Sequence, residues 1–213
     1  GSDIAYVFES QADLLVNTRL AGDAVGATKM DRPEWTATNP ATGEIYLTLT
    51  NNNAGTRPLN GTDAANPRPA NAYGHIIRWR EQSRDYAGRE FVWSLFLLAG
   101  PESDSLAPNG NPLTADNRLA SPDGLWFDDE GRLWIQTDMS TSAMGKGDLK
   151  GLGNNAMLAA DPATGEVRRS FNGDYSPLYQ VGYMMGAIQL RTLYRDLVVT
   201  GKMKEKDFHD GIL

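Results

Sequence analysis

Arg32, Glu34 and Asp123 are the residues of this 213-residue chain whose types and spacing could do chemistry. Arg32 and Glu34 lie two residues apart, and side chains two apart on an extended chain point to the same side. A guanidinium so placed can hold a phosphate oxygen bidentately. Glu34 acquires a partner because the chain repeats itself: Pro33-Glu34-Trp35 lies onto Pro122-Asp123-Gly124 at an offset of 89 residues. If both segments begin equivalent strands, the two carboxylates converge, and like charges brought together repel unless a cation or proton is shared. Without cysteine or histidine beside them, converging carboxylates favour a hard, oxygen-seeking ion such as calcium or magnesium. A cation, an arginine and a bound water are enough for phosphoryl transfer by electrostatic stabilisation. The same residues also fit a plainer reading, an Arg–Glu surface pair and an aspartate that caps a turn.

Other motifs offer less. Asp128-Asp129-Glu130-Gly131 resembles part of a calcium loop but lacks the spacing and terminal glutamate of an EF-hand, and reads as a charged hairpin turn. His75 opens a predicted strand and reads as a structural hydrogen-bonding residue. Gly145-Lys146-Gly147 and Gly151-Leu152-Gly153 lack the strand-to-helix setting of a nucleotide cradle. Trp79, Trp93, Trp126 and Trp134 are spaced as strand core, with packing between sheets the expected role.

Composition narrows the function classes. Lys and Arg number 20 and Asp and Glu 27, a formal net charge of −7, so neither nucleic acid nor an anionic membrane is attracted in general. Cysteine is absent, which excludes disulfide scaffolds, thiol nucleophiles and Cys-rich metal centres. The uncharged run Tyr175 to Leu190 contains Gln, Ser and Gly and falls short of the roughly 20 apolar residues of a membrane span. Gly1-Ser2 reads as an expression scar, and no signal sequence follows it.

Three segments must position the candidate residues. Residues 3–30 read as a helix and loop, with Leu14, Leu15, Leu20 and Val25 available for one buried side and Gly26 ending the helix. Residues 31–170 read as antiparallel β-structure. Glu34 to Thr38 and Ile45 to Thr50 flank Asn39-Pro40-Ala41-Thr42-Gly43-Glu44, and Ala156 to Ala160 and Glu166 to Ser170 flank Asp161-Pro162-Ala163-Thr164-Gly165. Proline sets φ in these turns and glycine supplies the positive φ. His75 to Glu81, Phe91 to Ala99, Leu125 to Asp128 and Arg132 to Thr137 complete eight strands. With the repeat, they predict a mainly β fold of two four-stranded units, as in successive blades of a partial β-propeller; a β-sandwich with similar hairpins is the alternative. Asn51 to Ala72 and Pro101 to Ala120 read as long loops. Residues 171–213 read as a helical tail, capped by Ser176 and Pro177, ended by Gly201, with Tyr183, Ala187, Leu190, Tyr194 and Leu197 on one stripe and Met184, Ile188 and Val198 beside it.

Several separate motifs in order carry a family resemblance: Gly26-Ala27-Thr28-Lys29-Met30-Asp31-Arg32-Pro33-Glu34-Trp35, Asn39-Pro40-Ala41-Thr42-Gly43, Tyr73-Gly74-His75-Ile76-Ile77-Arg78-Trp79-Arg80-Glu81, Ser121-Pro122-Asp123-Gly124-Leu125 and Gly153-Asn154-Asn155-Ala156-Met157. Over about 12–169 the chain resembles the PhoX family of bacterial secreted alkaline phosphatases. The resemblance implies a propeller that hydrolyses phosphate esters with calcium and iron on its axis, Arg32 touching the substrate phosphate and Glu34 and Asp123 ligating metal. It also implies a periplasmic or secreted location. The family's iron-binding cysteine and N-terminal acidic ligands have no counterpart here, so calcium is the expected cofactor and iron is not expected. From about Asn172 the pattern stops. Residues 172–213 are similar instead to the last helices of a bacterial zinc-peptidase-like family, without its HExxH helix, so His209 is no metal evidence and the chain reads as a chimera joined near residue 170.

Two blades alone would expose apolar faces, so self-association is expected, most simply as a two-fold homodimer. Two function classes stand: a metal-dependent phosphoester hydrolase with a reduced site, or an inert, self-associating scaffold.

Overall fold

The computed structural model describes residues 6–52, 61–169 and 192–210. Its centre is two antiparallel four-stranded meanders. The first runs β1 (Pro33–Thr38), β2 (Ile45–Leu49), β3 (His75–Glu81) and β4 (Phe91–Leu98); the second runs β5 (Pro122–Phe127), β6 (Leu133–Thr137), β7 (Met157–Ala160) and β8 (Val167–Arg169), each in spatial order. All eight predicted strands are present, and the two-unit division holds.

Turn chemistry explains why the outer hairpins close alike. Asn39 Oδ1 accepts the backbone N–H of Ala41 and Thr42 at 2.9 and 3.2 Å, and Asp161 Oδ1 accepts those of Ala163 and Thr164 at 2.8 and 3.3 Å. In each, the side chain builds the turn that the backbone would otherwise make alone. Glycine then takes the left-handed position, at φ 74° for Gly43 and 73° for Gly165.

The repeat extends to backbone detail that sequence does not show. Pairing slips between Pro33 and Thr36 in β1 and between Pro122 and Leu125 in β5, so both first strands carry an irregularity at the same place. The residue before each strand is left-handed without being glycine, Arg32 at φ 51° and Ser121 at φ 55°. The carbonyl of each accepts an N–H from just past the neighbouring strand, Thr50 to Arg32 at 3.1 Å and Asp138 to Ser121 at 2.8 Å.

The core lies between the two sheets. Tyr46 and Phe96 of the first meet Phe127 of the second, with ring centroids 4.9 and 5.3 Å from Tyr46. Leu125, Leu133, Ile135 and Leu158 are buried with them, and each such side chain stabilises the fold by roughly 1.5–3 kcal/mol relative to exposure. β5 packs against β1 and β2. Two threonines stitch that contact: Thr48 Oγ1 donates to the Asp123 carbonyl at 2.8 Å and Thr50 Oγ1 to the Pro122 carbonyl at 3.0 Å.

Three expectations need correction. The N-terminal region is helical, as α1 (Gln11–Val16) and α2 (Thr18–Ala24), but Leu14, Leu15, Leu20 and Val25 are exposed and neither helix buries a residue. Local bonds hold it: Ser10 Oγ caps Asp13 N–H at 3.1 Å, and the Asp13 carboxylate gathers Tyr6 and Asn17. The tryptophans are not core between the described sheets, since Trp126 is 69% and Trp93 38% exposed; strand alternation puts them on the outer faces. The described part of the loop before β3 carries no regular strand or helix, as read from sequence, and it packs inward, with Asn66 and Asn71 fully buried. Arg32 is not extended, so the alternation rule does not place its side chain.

The tail's stripe residues Tyr183, Met184, Ala187, Ile188 and Leu190, with its cap Ser176-Pro177, lie outside the described residues. A helical turn at 192–194 runs into a π-helical turn, Arg195–Val199, and Gly201 follows at φ 75°, ending the helix where predicted. α3 (Glu205–Asp210) folds back so that Tyr194 meets Phe208 edge-on at 5.3 Å and donates to Glu205 Oε1 at 2.9 Å.

Candidate active site

The site is built where the first strands of the two sheets begin side by side. Arg32 stands immediately before β1, and its left-handed backbone turns the guanidinium back along the strand: Nη2 donates to Glu34 Oε1 at 3.0 Å and Nη1 to Asn51 Oδ1 at 3.2 Å. The pair is open to solvent, with side chains 39% and 35% exposed. The surface ion pair weighed from sequence therefore exists. An exposed pair contributes little stability, so the left-handed backbone of Arg32 is not repaid by the pair alone.

Asp123 lies one residue into β5. It caps no turn: among the described residues its carboxylate accepts no hydrogen bond, while its carbonyl is held by Thr48. Burial pushes its pKa up, repulsion from Glu34 and then Asp138 adds to the rise, and Arg32 works against it. Glu34 and Asp123, 89 residues apart in sequence, are therefore within electrostatic reach of each other, and Asp123 is within reach of Arg32.

Asp138 is the group that sequence reasoning missed. It follows β6 and reaches the site because its N–H is anchored on the Ser121 carbonyl. Its counterpart in the first unit is Thr50, which is not acidic, so comparison of the repeats passes over it. A signal existed in its place directly after β6, whose pairing partner β5 begins at Pro122, next to Asp123.

Behind the arginine lies a buried polar cluster that sequence also passed over. Asp31 is fully buried and accepts from Asn71 Nδ2 at 3.0 Å. The same nitrogen approaches His75 Nδ1 at 2.8 Å, and His75 Nε2 lies 2.7 Å from the Ala65 carbonyl. A carbonyl only accepts, so Nε2 carries the hydrogen and Nδ1 accepts from Asn71. His75 is structural, as expected. Asn71 Oδ1 takes the Gly74 N–H at 3.0 Å and Arg68 Nη1 at 3.2 Å, while Arg68 also pairs with Asp104 at 3.2 Å. Burial lowers the Arg68 pKa, and Asp104 opposes that.

The chemistry of the set suits a hard divalent cation: oxygen donors only, with mutual repulsion that positive charge relieves. Among the described residues, however, no three Asp, Glu, His or Cys side chains come together as a group that could hold an ion. Asp128, the other acidic candidate, is engaged locally. Its Oδ1 accepts the backbone N–H of Glu130 and Arg132 and its Oδ2 accepts from Arg132 Nε and Trp134 Nε1, so it builds the β5–β6 turn; burial would raise its pKa, but these bonds hold it down at about 2.

Known proteins place the chain. The profile of the family described as Alkaline phosphatase PhoX matches residues 2–177. The chain belongs to the PhoX family. The PhoX match begins before residue 12 and ends after residue 169, wider at both ends than the resemblance seen in the motifs. A solved structure, Pseudomonas fluorescens PhoX in complex with vanadate, a transition state analogue, is similar at 46% identity with a TM-score of 0.64. The match covers 76% of this chain and 28% of that one. The chain therefore spans little more than a quarter of the solved PhoX. No match was found among proteins of curated function. No helix among the described residues is long and apolar enough to cross a membrane.

Proposed function

We propose that this chain is a phosphoester hydrolase that works on the solvent-facing site formed by Arg32, Glu34 and Asp123. The observation that carries this reading is a half-buried carboxylate, Asp123, held in repulsion with Glu34 and Asp138 beside an exposed guanidinium. Membership of the PhoX family and the likeness to a vanadate-bound relative support it. Arg32 would hold the phosphate through the two nitrogens now given to Glu34 and Asn51. Glu34 and Asp123 would hold a divalent cation, calcium before any other, which supplies Lewis acidity and an acidified water when bound. Arg32 stabilises negative charge on the phosphoryl oxygens as it builds. Aryl and alkyl phosphate esters are the substrate class, and a periplasmic or secreted setting follows from the family.

The fuller architecture belongs to this proposal. The two meanders are successive blades of a partial propeller, residues 31–170 form one unit with 3–30 leading into it, and 171–213 is a helical tail, its first residues still within the PhoX match and the rest a joined fragment similar to a zinc-peptidase-like family. A second function reading has an observation of its own. Because no complete ligand group is present among the described residues, the residues can persist on an inert, self-associating scaffold.

Hydrolysis of aryl phosphate mono-, di- and triesters, with and without chelator, separates the two. Turnover lost on chelation, restored by calcium, and reduced at least about 100-fold in Glu34→Ala and Asp123→Ala is expected of the hydrolase. Turnover absent, or unchanged by both substitutions, supports the scaffold.

A further inference from the structure

Asn71 uses the whole hydrogen-bonding capacity of its side chain. Both hydrogens on Nδ2 are placed, on Asp31 Oδ2 at 3.0 Å and His75 Nδ1 at 2.8 Å. Both lone pairs of Oδ1 are placed too, on the Gly74 N–H at 3.0 Å and Arg68 Nη1 at 3.2 Å, and an amide has no further capacity. Its backbone carbonyl accepts the Asn52 N–H at 2.7 Å. These bonds reach Arg32 from two sides. Asp31 is the residue before it, and Asn52 is the residue after Asn51, whose Oδ1 takes Arg32 Nη1. Asp31 and Asn71 are fully buried and Asn52 is 1% exposed.

The second unit shows what the fold by itself needs at this place. Ala120 stands where Asp31 stands, directly before the left-handed residue, and packs with Met139 and Leu152 in a small apolar cluster. Met139 is the counterpart of Asn51, since Asp138 and Thr50 make the same bond back to the residue before the first strand. Ser121 nevertheless holds φ 55°, beside 51° for Arg32, so an apolar plug is enough to keep the strained turn. A buried carboxyl and amide must find partners that alanine and leucine do not need, and replacing both members of such a bond by apolar groups can be neutral or stabilising. The polar version stands in the unit that carries the arginine.

We infer that Asn71 is a positioning residue for Arg32. Through Asp31 it sets the backbone from which the guanidinium leaves, and through Asn52 it sets the Asn51 oxygen that receives Nη1. The inference rests on the phosphoester hydrolase reading, in which Arg32 holds the phosphate. Held at root and tip, the guanidinium is aimed before substrate arrives, and electrostatic stabilisation depends on such preorganisation. Asn71 itself is buried and acts only through the arginine.

Calorimetric titration of the full chain with inorganic phosphate in calcium-containing buffer tests this, with circular dichroism verifying that each variant folds. Asp31→Ala copies the second unit's residue and removes the hold of Asn71 on the arginine; its phosphate Kd is expected to rise about tenfold. Asp31→Asn keeps an oxygen for Asn71 Nδ2 and is expected to bind at least about threefold more tightly than Asp31→Ala. In an Arg32→Ala background, Asp31→Ala is expected to change the Kd by less than about twofold, because no guanidinium is left to aim. Asn71→Ser, too short to bridge Gly74 and Asp31, is expected to repeat both results and decides the matter if Asp31→Ala does not fold. A loss of the same size with and without Arg32 overturns the inference, since the cluster would then be general support. An unchanged Kd in folded Asp31→Ala and Asn71→Ser overturns it as well and leaves the hydrolase reading standing. A wild type that binds no phosphate, or an Arg32→Ala variant that binds it as the wild type does, overturns the role of Arg32 as phosphate holder and this inference with it.

Discussion

Arg32 holds a backbone conformation that disfavours an L side chain by roughly 1–2 kcal/mol, and so does its counterpart Ser121. The repeated unit imposes this strain at both positions, and what sets the first apart is that a charged side chain occupies it. Ser121→Gly is expected to raise stability by about 1 kcal/mol and leave phosphate-ester turnover intact. Arg32→Gly is expected to raise stability similarly and abolish turnover; urea denaturation and a phosphate-release assay read both, and a fully active Arg32→Gly would remove the arginine from the mechanism. Asp123 yields a pH dependence. Its pKa is raised on folding, so the folded state holds the proton more tightly, and that contribution is present below the unfolded value near 3.9 and lost as pH rises through the folded value. The ionised carboxylate therefore opposes folding at pH 7. Asp123→Asn is expected to stabilise at pH 7, by less than about 1 kcal/mol, with the gain gone near pH 3. Thermal melts should also show calcium raising the wild-type midpoint but not the variant's.

At the scale of elements, the site depends on how closely the start of β3, the end of β2 and the start of β5 approach. Gly74 occupies that joint at φ 81°, where a Cβ would run into the Thr50 carbonyl oxygen and lie 2.6 Å from the Leu49 carbonyl oxygen and 2.7 Å from Pro122 Cδ. None of these can give way without parting the sheets. Gly74→Ala is expected to cost more than about 3 kcal/mol, measured as a lower urea midpoint, and near-neutral behaviour would mean that the sheets are not locked there. The same joint explains the buried polar cluster: Asn71 satisfies the Gly74 N–H and Asp31 together, so the loop before β3 orders the backbone on which Arg32 stands.

For the whole molecule, the sheets form the folded unit and the described part of the tail packs on itself through Tyr194, Glu205 and Phe208. A chain stopped after Arg169 is expected to keep the urea midpoint of the sheets within about 0.5 kcal/mol. Failure of that shortened chain to fold would make 31–170 an incomplete unit.

Strand positions and turns were legible in the sequence because their causes are local. Alternation of Val, Ile, Trp and Thr marks strands, and Asn39 or Asp161 followed by Pro-Ala-Thr-Gly closes hairpins through bonds within a few residues. The repeat also paired Glu34 with Asp123, since equivalent starts of equivalent strands carry equivalent residues together. Which face of a sheet is buried is not local, and the outward tryptophans show it: one residue of alternation separates Trp126 from buried Phe127, and only the packing of two sheets selects between them. Asp138 and the cluster of Asp31, Asn71 and His75 were hidden for the same reason. Their roles come from loops brought against strand ends by long-range hydrogen bonds, whose geometry exists only once the sheets have docked.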